Sequence, residues 1–410
     1  MNRSCNLQLL KARLRILHVI PSISPLRGGP SQAVLAMAAA LRQQGVDASI
    51  LTTNDHGPGI QPAMPLGQWH EHQALGEGVP VLAFGRWSPP LQAVREFAIS
   101  PGLSRWLAKH ACDYDLIHVH ALFSCTTSLG MAQLRRQGIP YLLRTIGQLG
   151  TWSLSQSVVR KQLFLKLVDR ANLQGAAAVH FTSKVEQQEA TRLQLKTRSF
   201  VLPLGVPTAE FTIEDEADAS KLNPVRDSPI RFLYLSRLHP KKQLPLLFES
   251  LAKLKQRFPS RSWRLDIAGE GDAAYRTELQ QLIQQLGLTS QVHWHGFVEG
   301  EAKQKLLRQA HWFLLPSASE NFGIAAAEAL MAGTPVVLCP GVALGADVEA
   351  AGAGLICPAN TEALSACLER CLEPPPLAMR QAARRLAKER YGWPAISRQL
   401  IGSYEEILRG

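Results

Sequence analysis

The hydrophobic pattern alternates between short unbroken apolar runs and stretches with apolar residues three and four apart. Leu14–Ile20 (LRILHVI) is such a run, closed by Pro21, as expected of a buried parallel strand. A loop with Gly28-Gly29-Pro30-Ser31 follows. Val34, Met37, Ala38 and Leu41 then recur at helical spacing up to Gly45, before a strand at Ala48–Thr52. Strand, glycine loop, helix and strand make a βαβ unit.

Residues 54–100 are rich in Pro, Gly and Trp and predict loops with one strand at Val79–Phe84. The alternation resumes with strands at Asp115–His120, Pro140–Arg144, Ala177–Phe181 and Ser199–Leu202. Helices are predicted to end at Ala132–Gln137 and to span 157–173 and 184–193, the last capped by Ser183. Residues 212–229 are acidic and polar and read as a linker. Beyond them the alternation starts afresh. Strands are predicted at Arg231–Ser236, Arg264–Ala268, Val292–Trp294, Trp312–Pro316 and Pro335–Cys339. Helices are predicted at Leu244–Phe258, 273–286, 301–309, Ile324–Ala332 and 361–372. Pro245 fits only a first helical turn.

Two such arrays predict an α/β protein with two Rossmann-like, doubly wound domains facing a central cleft. Ligands of such sheets bind at the carboxyl ends of the strands. The expected divisions are a tail at 1–13, a first domain at 14–205, a second at 206–388 and a segment at 389–410 that is helical after Pro394.

Composition narrows the class. Of 410 residues, 46% are apolar and 19% charged, which excludes collagen-like, disordered and coiled-coil chains. No apolar run reaches the length of a membrane span, and the N-terminus lacks a signal peptide's cleavage pattern. Seven scattered cysteines without a CxxC fit a reducing cytosol better than a disulfide or zinc framework. Charge is lopsided: residues 1–204 hold 21 Lys and Arg against 10 Asp and Glu, whereas the remainder holds 23 of each. A basic half implies an anionic partner, whether nucleic acid, phospholipid headgroups or a phosphorylated substrate.

Candidate chemistry falls at the strand ends of the second half. Arg237 and Lys242 could neutralise a diphosphate, or be two solvated cations. Gly269 and Gly271 would let the backbone approach a flat ligand, or simply form a tight turn. Glu320 and Glu328 could each accept hydrogen bonds from sugar hydroxyls, or be a cap and a surface charge. The Asn321-Phe322-Gly323 loop between them feeds a helix whose first N–H groups favour anions. His120 ends a strand of the first half, as a ligand or a structural imidazole. His118 lies on the same strand face, deeper.

The order SRLHPKKQLPLLFESLAKL, IAGEGD, HGFV and LLPSASENFGIAAAEALMAGTPVV is more telling than its parts. Together with VHFTS, VLPLGV and DLIHVHALF it resembles the family 4 retaining, nucleotide-sugar-dependent glycosyltransferases of the GT-B fold. PYLLRTIGQLGTWSL is similar to the exopolysaccharide and O-antigen-type subgroup. The resemblance implies a hexosyltransferase in cell-surface polysaccharide synthesis, with a nucleotide-diphosphate sugar as co-substrate, no metal or other cofactor, and a glycan or lipid-linked acceptor. Arg237 and Lys242 would then bind the diphosphate, Glu328 the ribose and Glu320 the donor sugar. Gly269 and Gly271 would lie beside the nucleotide, and the backbone at Asn321, Phe322, Gly323 and Ile324 beside phosphates and sugar. In the first domain Gly29 would flank the β-phosphate, His120 would lie near the reacting sugar, and Arg144 would be on the acceptor side.

Three positions depart from the family. Gln243 replaces a glycine, Leu204 an asparagine, and Arg144 with Gly147 fills the region of a missing histidine. Two other classes stay open. A sugar-nucleotide epimerase shares fold and donor, and a basic lipid- or nucleic-acid-binding protein would use the charge alone. Nucleic acid is disfavoured because the basic half lacks interleaved aromatic residues. The expected location is cytoplasmic, at the inner face of the membrane. Arg160, Lys161, Lys166, Arg170, Lys184, Arg192, Lys196 and Arg198 are expected to face anionic lipid there.

Overall fold

The computed structural model describes residues 13–57, 59–61, 63–90, 95, 97–150, 153–154, 164–208 and 228–410. Almost all of the predicted linker at 212–229 and of the tail at 1–13, and Arg160 and Lys161 of the predicted 157–173 helix, lie outside the described residues.

In the first half the strands are β1 (Arg15–Val19), β2 (Asp47–Thr53), β3 (Asp55–His56), β4 (Gly59–Ile60), β5 (Trp69–Ala74), β6 (Glu77–Phe84), β7 (Leu116–His120), β8 (Tyr141–Arg144), β9 (Ala178–Phe181) and β10 (Ser199–Val201). Eight form one sheet in the order β10-β9-β8-β7-β1-β2-β6-β5, parallel except for the β5–β6 pair. β3 and β4 form a separate ribbon. The sequence pattern missed β5, because WHEHQA has no apolar face to bury. Its pairing comes from the two-residue turn at Leu75 and Gly76, both at positive φ, which suits a hairpin. The helices are α1 (Gly29–Gln43), α2 (Pro101–His110), α3 (Cys125–Gln137), α4 (Arg170–Gly175) and α5 (Lys184–Ala190). Ser183 caps α5 as expected, accepting from the Glu186 N–H at 3.1 Å.

The second half holds β11 (Ile230–Leu235), β12 (Trp263–Ala268), β13 (Val292–Gly296), β14 (Trp312–Leu315), β15 (Val336–Leu338) and β16 (Gly354–Ile356). They form an all-parallel sheet in the order β13-β12-β11-β14-β15-β16. The helices are α6 (Leu244–Arg257), α7 (Ala273–Gln285), α8 (Gly300–Gln309), α9 (Ile324–Met331), α10 (Gly345–Ala351), α11 (Thr361–Glu369), α12 (Leu377–Leu386) and α13 (Trp393–Arg409). β14 reads WFLL and is wholly buried, as a central parallel strand should be. α10, β16 and α12 escaped the sequence reading: the first two are only 7 and 3 residues long, too short for a period to show.

Apart from the antiparallel β5–β6 hairpin at the edge of the first sheet, each sheet reverses its strand order once, between β1 and β7 and between β11 and β14. Those reversals are where doubly wound sheets hold ligands. The terminal helix α13 returns to the first half and packs on α1. It starts at the crossing between the halves, where Val206 N–H donates to Tyr391 O at 2.7 Å and Trp393 covers Gly205. One continuous apolar core therefore runs from one face of the first sheet through α13 into the second half; another fills the opposite face of the first sheet.

Candidate active site

The loops after β11 and β14 bring the predicted residues of the second half together. Lys242, in the turn Pro240–Lys242 before α6, forms a salt bridge with Glu320, which follows β14. Both side chains are largely buried. Burial lowers the Lys242 ammonium below its ordinary pKa, and the Glu320 carboxylate opposes that fall. Glu320 is held by its backbone: its N–H donates to Gly341 O at 2.7 Å and its carbonyl accepts from Ala343 N–H at 3.2 Å. Eight residues on, in α9, Glu328 pairs with Lys303 of α8 at 2.8 Å. Lys303 was not singled out from sequence. In a helix reading GEAKQKLLRQ, nothing distinguishes it from the other solvated cations.

Between the two glutamates, Gly323 adopts φ +92° at the start of α9, a conformation open to glycine at little cost. Phe322 is buried edge-on against Tyr391 at 5.3 Å. Ile324 faces the first half: a Cβ on Gly29 would lie 2.7 Å from the Ile324 methyl. Arg237 crosses the same gap, its Nε 3.7 Å from where a Gly28 side chain would begin. The glycine loop, Arg237 and the start of α9 thus form opposite lips of one cleft.

Gly269 and Gly271 are required by backbone packing, in keeping with the tight-turn alternative. Gly269 sits at φ +136°, and side chains at the two positions would strike the Ser236 and Leu238 carbonyls. These glycines let the loop after β12 lie against the loop after β11, with Leu238 N–H donating to Glu270 O at 2.9 Å. Their close approach is to protein backbone.

The first half supplies a buried polar band. Strand register puts His18 beside His118, and His120, Arg144 and His180 in one row across β7, β8 and β9. His18 Nδ1 and His120 Nε2 are 2.9 Å apart, and His118 Nδ1 meets the Tyr404 hydroxyl of α13 at 2.8 Å. Burial first, and Arg144 second, holds His18 down to about 3, and burial likewise lowers His180 to about 3. Burial drives His118 and His120 well below the ordinary imidazole value, and Arg144 down to about 10. His18, His118 and His120 offer ligand atoms within 4.8 Å of one another. The Arg144 guanidinium beside them disfavours a further cation there.

Two family models match this chain. One, "Glycosyl transferase 4-like domain", spans residues 28–205; the other, "Glycosyl transferases group 1", spans 215–390. The chain belongs to the family 4, group 1 glycosyltransferases. Phosphatidyl-myo-inositol mannosyltransferase of Mycolicibacterium smegmatis is 28% identical over 407 residues, 96% of this chain and 94% of that protein. Sucrose-phosphate synthase from Thermosynechococcus elongatus matches with a TM-score of 0.76 at 24% identity, covering 97% of this chain and 100% of that one. HepE from Anabaena in complex with UDP-glucose matches with a TM-score of 0.69 at 19% identity, covering 96% and 100%. The two facing sheets are the GT-B arrangement.

In this glycosyltransferase the two first-half candidates, His120 and Arg144, end β7 and β8 and are both fully buried. They sit on the sheet face that α13 covers, and Tyr404 closes the band from above. What the first half does present at the cleft is Thr182, just after β9. Its hydroxyl accepts a hydrogen bond from the Asn321 side-chain amide across the gap.

Proposed function

We propose that this glycosyltransferase moves a hexosyl group, with retention, from a nucleoside-diphosphate sugar to a glycan or lipid-linked acceptor of cell-surface polysaccharide, without a metal ion. The observation that carries the reading is the lip of the second domain. Two Lys–Glu pairs, Lys242–Glu320 and Lys303–Glu328, flank the glycine-started helix, which together with Arg237 faces Gly28-Gly29. Arg237 and Lys242 hold the diphosphate and stabilise negative charge as it grows on the leaving phosphate, commonly the largest catalytic contribution. Glu328 holds the ribose and Glu320 the sugar hydroxyls. The UDP-glucose complex of HepE supports a nucleotide-sugar donor, and the name of the mycobacterial relative supports a lipid-linked acceptor.

Product analysis with a panel of nucleotide sugars tests this. Transfer with the donor's anomeric configuration is expected, at a rate that a chelator changes by less than about twofold. An inverted product, or loss on chelation with rescue by Mg²⁺, overturns retention or metal independence respectively. Conversion of the sugar nucleotide without acceptor identifies an epimerase.

Acceptor delivery is proposed at an anionic membrane surface. Among the described residues no helix is long and apolar enough to cross a membrane. Leu129 on α3 and Leu167 on the adjoining segment Leu165–Asp169 are exposed, Leu167 by 69%, with Lys166, Arg170 and Lys184 also exposed. Each cation near an anionic leaflet contributes about 1 kcal/mol. Sedimentation with anionic vesicles, lost at high salt and absent with zwitterionic ones, is expected. No binding at low salt leaves a soluble acidic acceptor as the better reading.

A further inference from the structure

The contact between Asn321 and Thr182 is one end of an ordered chain of hydrogen bonds that begins at a buried carboxylate. Glu186, on α5, is 2% exposed. Its Oε1 accepts from the Thr145 hydroxyl at 2.5 Å and from Gly147 N–H at 2.6 Å. Its Oε2 accepts from the N–H and the hydroxyl of Thr182, at 2.8 and 3.1 Å. An ionised carboxylate only accepts, and a threonine hydroxyl has a single proton. The Thr182 proton therefore points at Glu186, and its lone pairs are left facing the cleft. The Asn321 amide fills that vacancy by donating its N–H.

The same carboxylate fixes a second point against Asn321. Gly147 turns at φ +78°, and a Cβ there would lie 3.0 Å from the Asn321 Cβ. Thr182 and Gly147, both tied to Glu186, so meet one residue of the opposite domain. That residue adjoins Glu320 in the chain and, through Phe322, the ring of Tyr391.

We propose that Thr182, oriented by Glu186, is a positioning residue for glycosyl transfer: it latches Asn321, and with it the 320–323 loop, to the acceptor domain when the cleft is closed. The proposal rests on the reading that this loop lines the donor sugar. In this role Thr182 acts by holding the loop and the two lips in register. The latch forms only where the domains meet, so it favours the closed arrangement. It leaves untouched the nucleotide contacts made within the second domain.

The test uses the full chain with Thr182→Val, which keeps volume and removes the hydroxyl, and Thr182→Ser, which restores it. UDP and GDP serve as nucleotide probes. The expected result for Thr182→Val is a fall in kcat of about tenfold, one lost hydrogen bond to a polar partner, with nucleotide Kd unchanged within about twofold. Thr182→Ser is expected near wild type in both. Small-angle scattering with nucleotide gives a readout besides activity: the wild type and Thr182→Ser compact on binding, and Thr182→Val compacts less. Equal compaction in all three overturns the latch. So does a Val variant with wild-type kcat, or a Ser variant as impaired as Val. A wild type that compacts with nucleotide yet transfers from no donor counts against the proposed reaction and leaves the scattering comparison to decide the latch.

Discussion

The two walls of the cleft handle charge in opposite ways. The second domain holds its charges at the rim in pairs, Lys242 with Glu320 on the loops after β11 and β14, and Lys303 with Glu328 between α8 and α9. The first domain draws its titratable groups down into the sheet, where four imidazoles and Arg144 lie sealed under α13. Paired charges at a rim can be exchanged for those of a ligand. Neutral imidazoles in a sealed band cannot, and they serve the fold. One wall therefore offers charge that can be exchanged, and the other holds its titratable groups buried at the same depth.

The sharpest way to break this comparison is Lys242→Ala. Turnover is expected to fall roughly 10²-fold or more, the scale for losing one preorganised electrostatic donor. The substitution also strands a largely buried Glu320 carboxylate. A destabilisation of about 3 kcal/mol should accompany it. Replacing both partners, Lys242→Met with Glu320→Gln, should recover most of the stability and none of the turnover. Near-normal turnover in Lys242→Ala removes the residue from the mechanism.

The first wall should reveal itself by pH. Unfolded imidazoles take up protons near 6.5, whereas His18 and His180 resist until about 3. The unfolded state thus binds more protons across that window. The stability contributed by the neutral band is complete above about pH 6.5 and is lost as pH falls toward 3. The slope is about 1.4 kcal/mol per pH unit for each histidine. Thermal melts between pH 8 and 5 should show a steep drop, reduced in His18→Gln. A melting temperature flat across that range would mean the band is not sealed.

How much of this was legible follows the same division. The second wall could be read because its residues lie at strand ends in a spaced order, and periodicity locates strand ends well. Lys303 was not legible, since its role comes from α8 lying beside α9. The burial of His120 was not legible either. Alternation shows which face of β7 it is on, but that α13 covers this face depends on a contact 286 residues away, between His118 and Tyr404. At Gly269 and Gly271 the sequence showed the need for close approach but not the Ser236 and Leu238 carbonyls that require it, because a glycine pattern does not name the neighbour. Thr182 and Glu186 were passed over as an ordinary helix start, which they also are.

The smallest expected effect tests the one departure within the proposed catalytic rim. Gln243, where the family has glycine, sits at φ +54° and ψ +41°, in the left-handed region, immediately after Lys242. A residue with a Cβ is strained there by about 1–2 kcal/mol, and glycine is not. Its side-chain carbonyl is also buried without a hydrogen-bond partner among the described residues. Gln243→Gly relieves both, at the cost of a more flexible unfolded chain. The net gain should be about 1 kcal/mol, read as a rise in melting temperature of about 2 °C. Turnover should stay within about twofold, because Lys242 is placed by its pairing with Glu320 and by its N–H, which donates to His239 O at 2.9 Å. If instead the variant melts lower, the turn draws support from the glutamine that its backbone conformation does not reveal. If it melts higher but turns over much more slowly, the strain at Gln243 is itself what keeps Lys242 aimed into the cleft.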